Sequence, residues 1–382
     1  MIPLALYLHF PWCVKKCPYC DFNSHTAGDD PPRAQYVDAL LEDLAAEAAA
    51  ADGRPLTSVF LGGGTPSLFA GAEIGRVLDG VRRLFALEPG AEITMEANPG
   101  TVERHHLSGY REAGVNRLSL GAQSFDAGCL ERLGRIHGPA EIAAAVADAR
   151  AAGFDNLNLD LMFALPGQTP AMAAADLEAA LALAPEHLSL YQLTLEPNTV
   201  FHRRPPAGLP DDDAAADMQE AAIERLAAAG FARYEISAYA RAGRECRHNL
   251  NYWRYGDYLA AGAGAHGKLT LADGTVLRYR KPLHPAEYRR RAGQRDEQPE
   301  LTADERLFEF MLNGLRLTGG FSEGDLAART GLDPALVRPR FHELAGRGLL
   351  ERTGRNWRPT GLGLRFLNDL QGAFLPAATA AA

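Results

Sequence analysis

"LALYLHFPWCVKKCPYCDFNSH", residues 4–25, runs from a strand-like stretch of apolar residues straight into Cys13, Cys17 and Cys20, three of the five cysteines in a chain of 382 residues. Thiolates are soft ligands suited to zinc, copper(I) or iron–sulfur clusters, and these three are spaced C-x3-C-x2-C. A structural zinc site takes four protein ligands, usually from two C-x2-C pairs, so zinc would need His9 or His25 as the fourth. Three thiolates on a cubane cluster instead leave one iron without a protein ligand. That open position is what a reactive metal centre needs, and Phe22 stands where a further cysteine would close the series.

Working outward, similar short runs follow at 57–64 (TSVFLGGG), 92–99 (EITMEANP), 116–123 (NRLSLGAQ), 156–167 (NLNLDLMFALPG) and 187–197 (HLSLYQLTLEP), with a weaker one at 232–239. Between them lie Ala- and Leu-rich stretches such as 36–50 and 139–153, with the period and glycine stops of amphipathic helices. Strand-then-helix repetition predicts an α/β fold with a parallel sheet and helices packed outside it. Six or seven units fall short of eight, so the expected architecture is a partial, (β/α)6-type TIM-like barrel. Cys13, Gly62 to Gly64, Glu96, Gln123, Asp160 and Glu196 all fall at or just past the C-terminal ends of the expected strands. That rim is where barrel folds place their chemistry.

The expected barrel occupies residues 1–205. "PPAGLPDDD" at 205–213 reads as a connector, and 206–300 as a connecting region that completes the barrel in short β-rich or irregular pieces. From Thr302, three helical runs and a two-strand signal predict a mostly helical, winged-helix-like domain over 301–375, followed by a frayed tail at 376–382. Six arginines in 338–358 raise DNA contact as an alternative, but Glu343 and Glu351 interrupt them, and a lid, dimer or partner-docking role is preferred. The net charge of -9 argues against a protein that coats nucleic acid. An odd number of cysteines, no signal-peptide pattern and no apolar run near the roughly 18 residues of a membrane span point to a reducing, cytoplasmic setting.

C-x3-C-x2-C with Tyr19 before the last cysteine resembles the signature of radical S-adenosylmethionine (SAM) proteins. The resemblance implies a 4Fe–4S cluster whose open iron is chelated by SAM, which one-electron reduction cleaves to a 5′-deoxyadenosyl radical. "GGGTP" (62–66) resembles the family's glycine-rich turn at the SAM amino group, where only glycine permits close main-chain approach. In the porphyrin-related branch, positions matching Tyr7, Gly63, Gly64, Thr65, Glu96, Gln123, Arg135 and Asp160 bind SAM. Taken singly, each is open to a capping, salt-bridge or core-rim reading.

"HFPWC", "CPYCDFNSH", "GGGTPSL", "EANPGT", "NLDLMFALPGQT" and "HNLNYWRYGDYLAAGAGAHG" extend the likeness over nearly the full length, to the HemW-type haem chaperones related to oxygen-independent coproporphyrinogen III oxidase. The true oxidase has C-x3-C-x2-C-x-C and an N-terminal extension. Phe22 and the six residues before Tyr7 depart from both. The resemblance therefore implies a haem carrier serving client haemoproteins, with oxidative decarboxylation of the porphyrinogen as the alternative; no catalytic residue is assigned and enzyme status is left open. "HNLNYW" (248–253) matches a motif associated with haem in this branch, which implies His248 as an iron ligand and Tyr252 and Trp253 as flat apolar area. The other reading makes His248 a satisfied buried histidine and the aromatics core. Cys246 is an alternative thiolate ligand, Cys129 a buried helix residue, and His266 a candidate without a role. A homodimer is implied by resemblance alone.

Overall fold

The computed structural model describes residues 2–101, 104–271 and 273–376. Six parallel strands, Leu4–Phe10, Leu56–Gly63, Leu87–Ala97, Arg117–Gln123, Leu157–Phe163 and His187–Gln192, lie side by side in chain order. Helices Arg33–Glu47, Gly71–Leu84, Arg104–Ala113, Pro139–Ala151, Pro170–Ala182 and Asp212–Ala228 fall between or after them. Because successive strand residues point to opposite faces, one set builds the core: Leu6, Leu8, Val59, Leu61, Met95, Leu118, Leu120 and Leu159 pack with helix residues such as Leu40, Val77 and Ile142. The alternate set, from Phe60, Glu96, Ser119, Asn158, Asp160 and Ser189, lines cavities on the other face.

This is the expected partial barrel, with additions at both edges. On one side the weak seventh candidate forms two short antiparallel strands, Ala232–Glu235 and Ala238–Ala240. On the other, Asp257–Ala261 pairs in parallel with the first strand, from Leu4↔Asp257 to Leu8↔Ala261. Antiparallel strands His266–Thr270, Val276–Arg280 and Asp296–Glu297 continue from it. Among the described residues the sheet has twelve strands and is open, with Asp296–Glu297 and Ala232–Glu235 at its two edges.

The connector at 205–213 ends sooner than its composition suggests. Asp211 caps helix Asp212–Ala228 through its carboxylate, which accepts from the Ala214 amide at 2.8 Å, and Asp212 and Asp213 form the acidic first turn. The acid-rich run is a helix start, matched to the positive end of the helix dipole. That helix packs against Pro170–Ala182 and still covers the sheet.

Helices Ala303–Gly314, Glu323–Thr330 and Pro334–Gly346 precede the strand pair Leu350–Thr353 and Asn356–Pro359, joined by Phe321–Ser322. They enclose a second core around Phe310, Phe341, Trp357 and Phe374. Arg338 and Arg358, two of the six arginines, pair with Glu323 and Glu351 at 2.9 and 2.6 Å. The expected tail lies outside the described residues apart from Pro376.

Candidate functional site

The cysteine loop leaves the first strand at Phe10 and is held by main-chain bonds. The amides of His25 and Ala27 donate to the carbonyls of Pro11 and Cys13, each at 2.7 Å, and the Phe201 amide donates to Pro18 at 3.0 Å. Lys16 Nζ adds bonds to the Phe22 and Ser24 carbonyls. Cys13, Cys17 and Cys20 are thereby presented half-buried and free of disulfides. They share the wall of a cavity of about 440 Å³ with Gly63, Gly64, Thr65, Glu96, Gln123, Arg135 and Asp160. Such a volume suits a small-molecule ligand. Glu196 lies on the same cavity, and so do Ser119, Met162 and Tyr191, which motif reading missed; Ser119 and Met162 occupy the same inward-facing strand positions as Asp160 and were legible from period two.

The GGGTP turn docks on the cysteine loop. The amides of Gly64 and Thr65 donate to the carbonyls of Phe10 and Trp12 at 2.6 and 2.7 Å. Gly63 has φ +111°, and a Cβ there would stand 2.4 Å from the His9 ring; one on Gly64 would stand 2.7 Å from the Trp12 carbonyl oxygen. These glycines are required by their own chain before any ligand arrives. The Thr65 hydroxyl donates to Cys13 Sγ at 3.4 Å, and Arg135 reaches Cys17 Sγ at 3.7 Å and the Gly121 carbonyl at 2.8 Å. Arg135 thus places positive charge against a thiol, and its Nε is buried without a partner among the described residues. Burial pushes the Cys13 and Cys20 thiols up.

Glu96 accepts from the Gly63 amide at 3.1 Å, and Asp160 is held by Ser119 and Asn158 at 2.8 and 2.9 Å. Asp160 sits in mid-strand rather than at its end, with its carboxylate turned inward. Burial, then repulsion from Asp160, pushes the Glu96 carboxyl up from 4.5 to about 8. A carboxyl raised on folding takes up a proton, so its stabilisation is complete below about 4.5 and is lost as pH climbs through about 8. Between about pH 5 and about pH 8 the melting temperature of SAM-free protein is expected to fall more steeply in wild type than in Glu96→Gln. Parallel profiles would show Glu96 ionised throughout.

The three haem candidates part company. Tyr7 and Tyr252 line a second cavity of about 470 Å³ beside the first. His248, 1% exposed, lies toward the opposite ends of the strands on helix Arg247–Trp253. Its Nδ1 meets Ser58 Oγ at 3.0 Å and its Nε2 meets the Tyr252 hydroxyl at 3.1 Å. Burial, then Arg117, lowers its pKa to about 3. The satisfied-histidine geometry is the one observed, and neither nitrogen is open to iron as the side chain stands. Trp253 lies under the Arg316 guanidinium at 4.3 Å, facing the C-terminal helices. Cys246 is fully buried against Glu92 at 3.5 Å, its thiol pushed up to about 12 by burial, and Cys129 is buried in the short helix Ala127–Arg132.

The donor set and cradle fit the groups implied by the motif. Among the described residues, no three His, Cys, Asp or Glu converge as ligands for one metal ion, the arrangement a mononuclear zinc would need. The thiols instead face a space of ligand size bordered by Glu96, Asp160 and the partnerless Arg135 Nε. No helix among the described residues is long and apolar enough to cross a membrane.

Residues 7–180 match the radical SAM superfamily, and residues 301–366 match the HemN C-terminal domain. The heme chaperone HemW of Escherichia coli (strain K12) is 48% identical over 98% of each chain, and that of Haemophilus influenzae 46% identical over 98% of each. The HemW of Bacillus subtilis (strain 168) is 35% identical over 97% of this chain and 99% of its own. Among solved structures, the coproporphyrinogen III oxidase HemN of Escherichia coli, described as a radical SAM enzyme, superposes with a TM-score of 0.81 at 25% identity, over 98% of this chain and 90% of its own. With a three-cysteine loop at the open rim of a six-strand partial barrel and relatives of this identity along its whole length, the chain belongs to the HemW family of radical SAM proteins.

Proposed function

We propose that this protein is a cytoplasmic haem carrier that hands haem to client haemoproteins. The observation that carries the reading is the full-length similarity to proteins named heme chaperones, 48% identical over 98% of both chains in one case. Phe22 supports it: the side chain is 59% exposed and lines both the cysteine cavity and the second cavity, offering apolar surface where the oxidase has a thiol.

Cys13, Cys17 and Cys20 would hold the 4Fe–4S cluster. Gly63, Gly64, Thr65, Glu96, Gln123, Arg135 and Asp160 would border SAM, with Tyr7 on the adjoining cavity that Glu96 also lines. The cluster and SAM, when bound, supply one-electron reductive chemistry. The chain's own part is to orient and shield: Thr65 and Arg135 polarise two of the thiols, and Glu96 and Asp160 present acceptors at fixed depth. Residues 1–205 would house this site, 206–300 shape the haem cavity, and 301–375 dock a client or a second copy.

Reconstituted protein with a verified cluster, given SAM, a reductant and coproporphyrinogen III without oxygen, is expected to leave the propionates intact. The same preparation is expected to bind haem and release it to an apo-haemoprotein. Decarboxylated product over many turnovers would make this an oxidase. Failure to pass haem on would overturn the carrier reading.

A further inference from the structure

The second cavity adjoins the cysteine cavity, sharing Asp21, Phe22, Gly63 and Glu96 with it. Tyr7, Phe22, Tyr252, Tyr258 and Leu283 give it broad apolar and aromatic area. Phe22 and Leu283 are 59% and 52% exposed at its mouth. Large apolar side chains left in water around a concavity are what a removable apolar ligand would cover.

Two histidines face this space. His9 is buried, with Nδ1 on the Tyr7 hydroxyl at 3.0 Å and Nε2 on the Asn23 carbonyl at 2.9 Å, so both nitrogens are taken. His266 opens strand His266–Thr270, is exposed, and has no side-chain hydrogen bond among the described residues. Directly across the ladder stands Arg280, also exposed and without an ion pair among the described residues. The loop leading to His266 is fixed. Asn23 Nδ2 donates to the Ala263 and Leu283 carbonyls, each at 2.9 Å, and the Lys281 amide donates to Ala265 at 2.8 Å.

We propose that haem seats in this second cavity with His266 as an axial ligand of its iron and Arg280 pairing a propionate at the mouth. The proposal rests on the haem-carrier reading and deepens it by naming the ligand. An imidazole ligates iron through an unprotonated nitrogen. Partial burial of the ring, then the Arg280 and Arg278 charges, lowers the His266 pKa, which favours the neutral ring. Flat rings beside it match a planar macrocycle, and a guanidinium matches a carboxylate. The HNLNYW motif then acts through Tyr252, one wall of the cavity, whose hydroxyl His248 holds at 3.1 Å. His248 is a positioning residue in this arrangement, and the iron is bound elsewhere.

The test is ferric haem titration of the reconstituted full-length protein, read by the Soret band, magnetic circular dichroism and affinity. His266→Ala is expected to lose the histidine-ligated spectrum and about tenfold or more in affinity. Added imidazole should restore that spectrum in His266→Gly. His248→Ala should weaken binding while keeping the wild-type spectrum, and Arg280→Gln should do the same. A wild-type spectrum and affinity in His266→Ala, or loss of histidine ligation in His248→Ala instead, would overturn the assignment while wild-type binding keeps the carrier reading. Arg280→Gln with unchanged affinity would overturn the propionate contact. A wild-type protein that takes up no haem would overturn both readings together.

Discussion

Replacing Cys17 with Ala is expected to abolish a site-bound cubane: iron and sulfide in anaerobically reconstituted protein should fall to background. The loop offers three thiols, and the remaining cysteines cannot stand in. Cys129 is buried in a helix, and Cys246 is buried against Glu92 near the other ends of the strands, its thiol pushed up to about 12. Two thiolates leave two irons of a cubane without protein ligands, and the Arg135 guanidinium would face an alanine methyl. The fold should survive, because the loop's path is held by main-chain bonds at Pro11, Cys13 and Pro18 rather than by the Cys17 side chain. Far-ultraviolet circular dichroism checks this, with Cys129→Ala as the control that keeps its cluster. Full cluster retention in Cys17→Ala would sink the three-thiolate arrangement.

Most of this site was legible because its elements are local. A strand that ends in Gly62 to Gly64, or in Glu96, announces its rim residue by position, and period two gives the inward face. Asp160 shows the limit of the rim rule: it reaches the same cavity from mid-strand, since an inward side chain one pleat deeper still borders the ligand space. Gly63 is expected from its motif to give close approach to SAM, and the group that does approach it here is the His9 ring of the protein itself. Motif spacing cannot tell a ligand from a neighbouring side chain.

What stayed hidden is non-local. Nothing in "DYLAA" says that it pairs in parallel with the first strand about 250 residues earlier, because a short buried run carries no label for its partner. The same holds for His248. "HNLNYW" reads as a ligand beside two flat rings, whereas helix geometry sends its three side chains in different directions. His248 goes to Ser58, Tyr252 toward the second cavity, and Trp253 to Arg316. His266 presented no such pattern, and only the cavity and a ring without a hydrogen bond among the described residues set it apart.

Lys281→Met is expected to cost about 3–5 kcal/mol, the range for removing one partner of a buried charge network. Lys281 is fully buried just past strand Val276–Arg280, with Nζ 2.5 Å from Asp43 and 2.7 Å from Glu47 on helix Arg33–Glu47. Both carboxylates are themselves buried and accept from tyrosine hydroxyls, Asp43 from Tyr288 at 2.8 Å and Glu47 from Tyr279 at 2.6 Å. Those neutral donors do not replace a cation, and Arg295 Nη1 reaches Glu47 alone, at 3.6 Å, so the variant leaves Asp43 with no cationic partner among the described residues and a second carboxylate beside it. Burial already pushes the Asp43 carboxyl up, and protonating it relieves the repulsion, which makes the deficit larger at high pH than at low pH. Asp43→Asn and Glu47→Gln added to Lys281→Met should recover much of the loss. Urea unfolding at two pH values measures this, with separate probes for the two cores because a chain with two need not unfold in one step. A loss below about 1 kcal/mol would show that Arg295 and the tyrosine hydroxyls hold the carboxylates without Lys281. The consequence reaches the haem cavity. The Asp43 carboxylate accepts from the Gly262 amide at 3.2 Å, and Lys281's own amide holds Ala265. The network that anchors the sheet extension to the first helix therefore also fixes the loop that aims His266, and loosening it should weaken haem binding in step with stability.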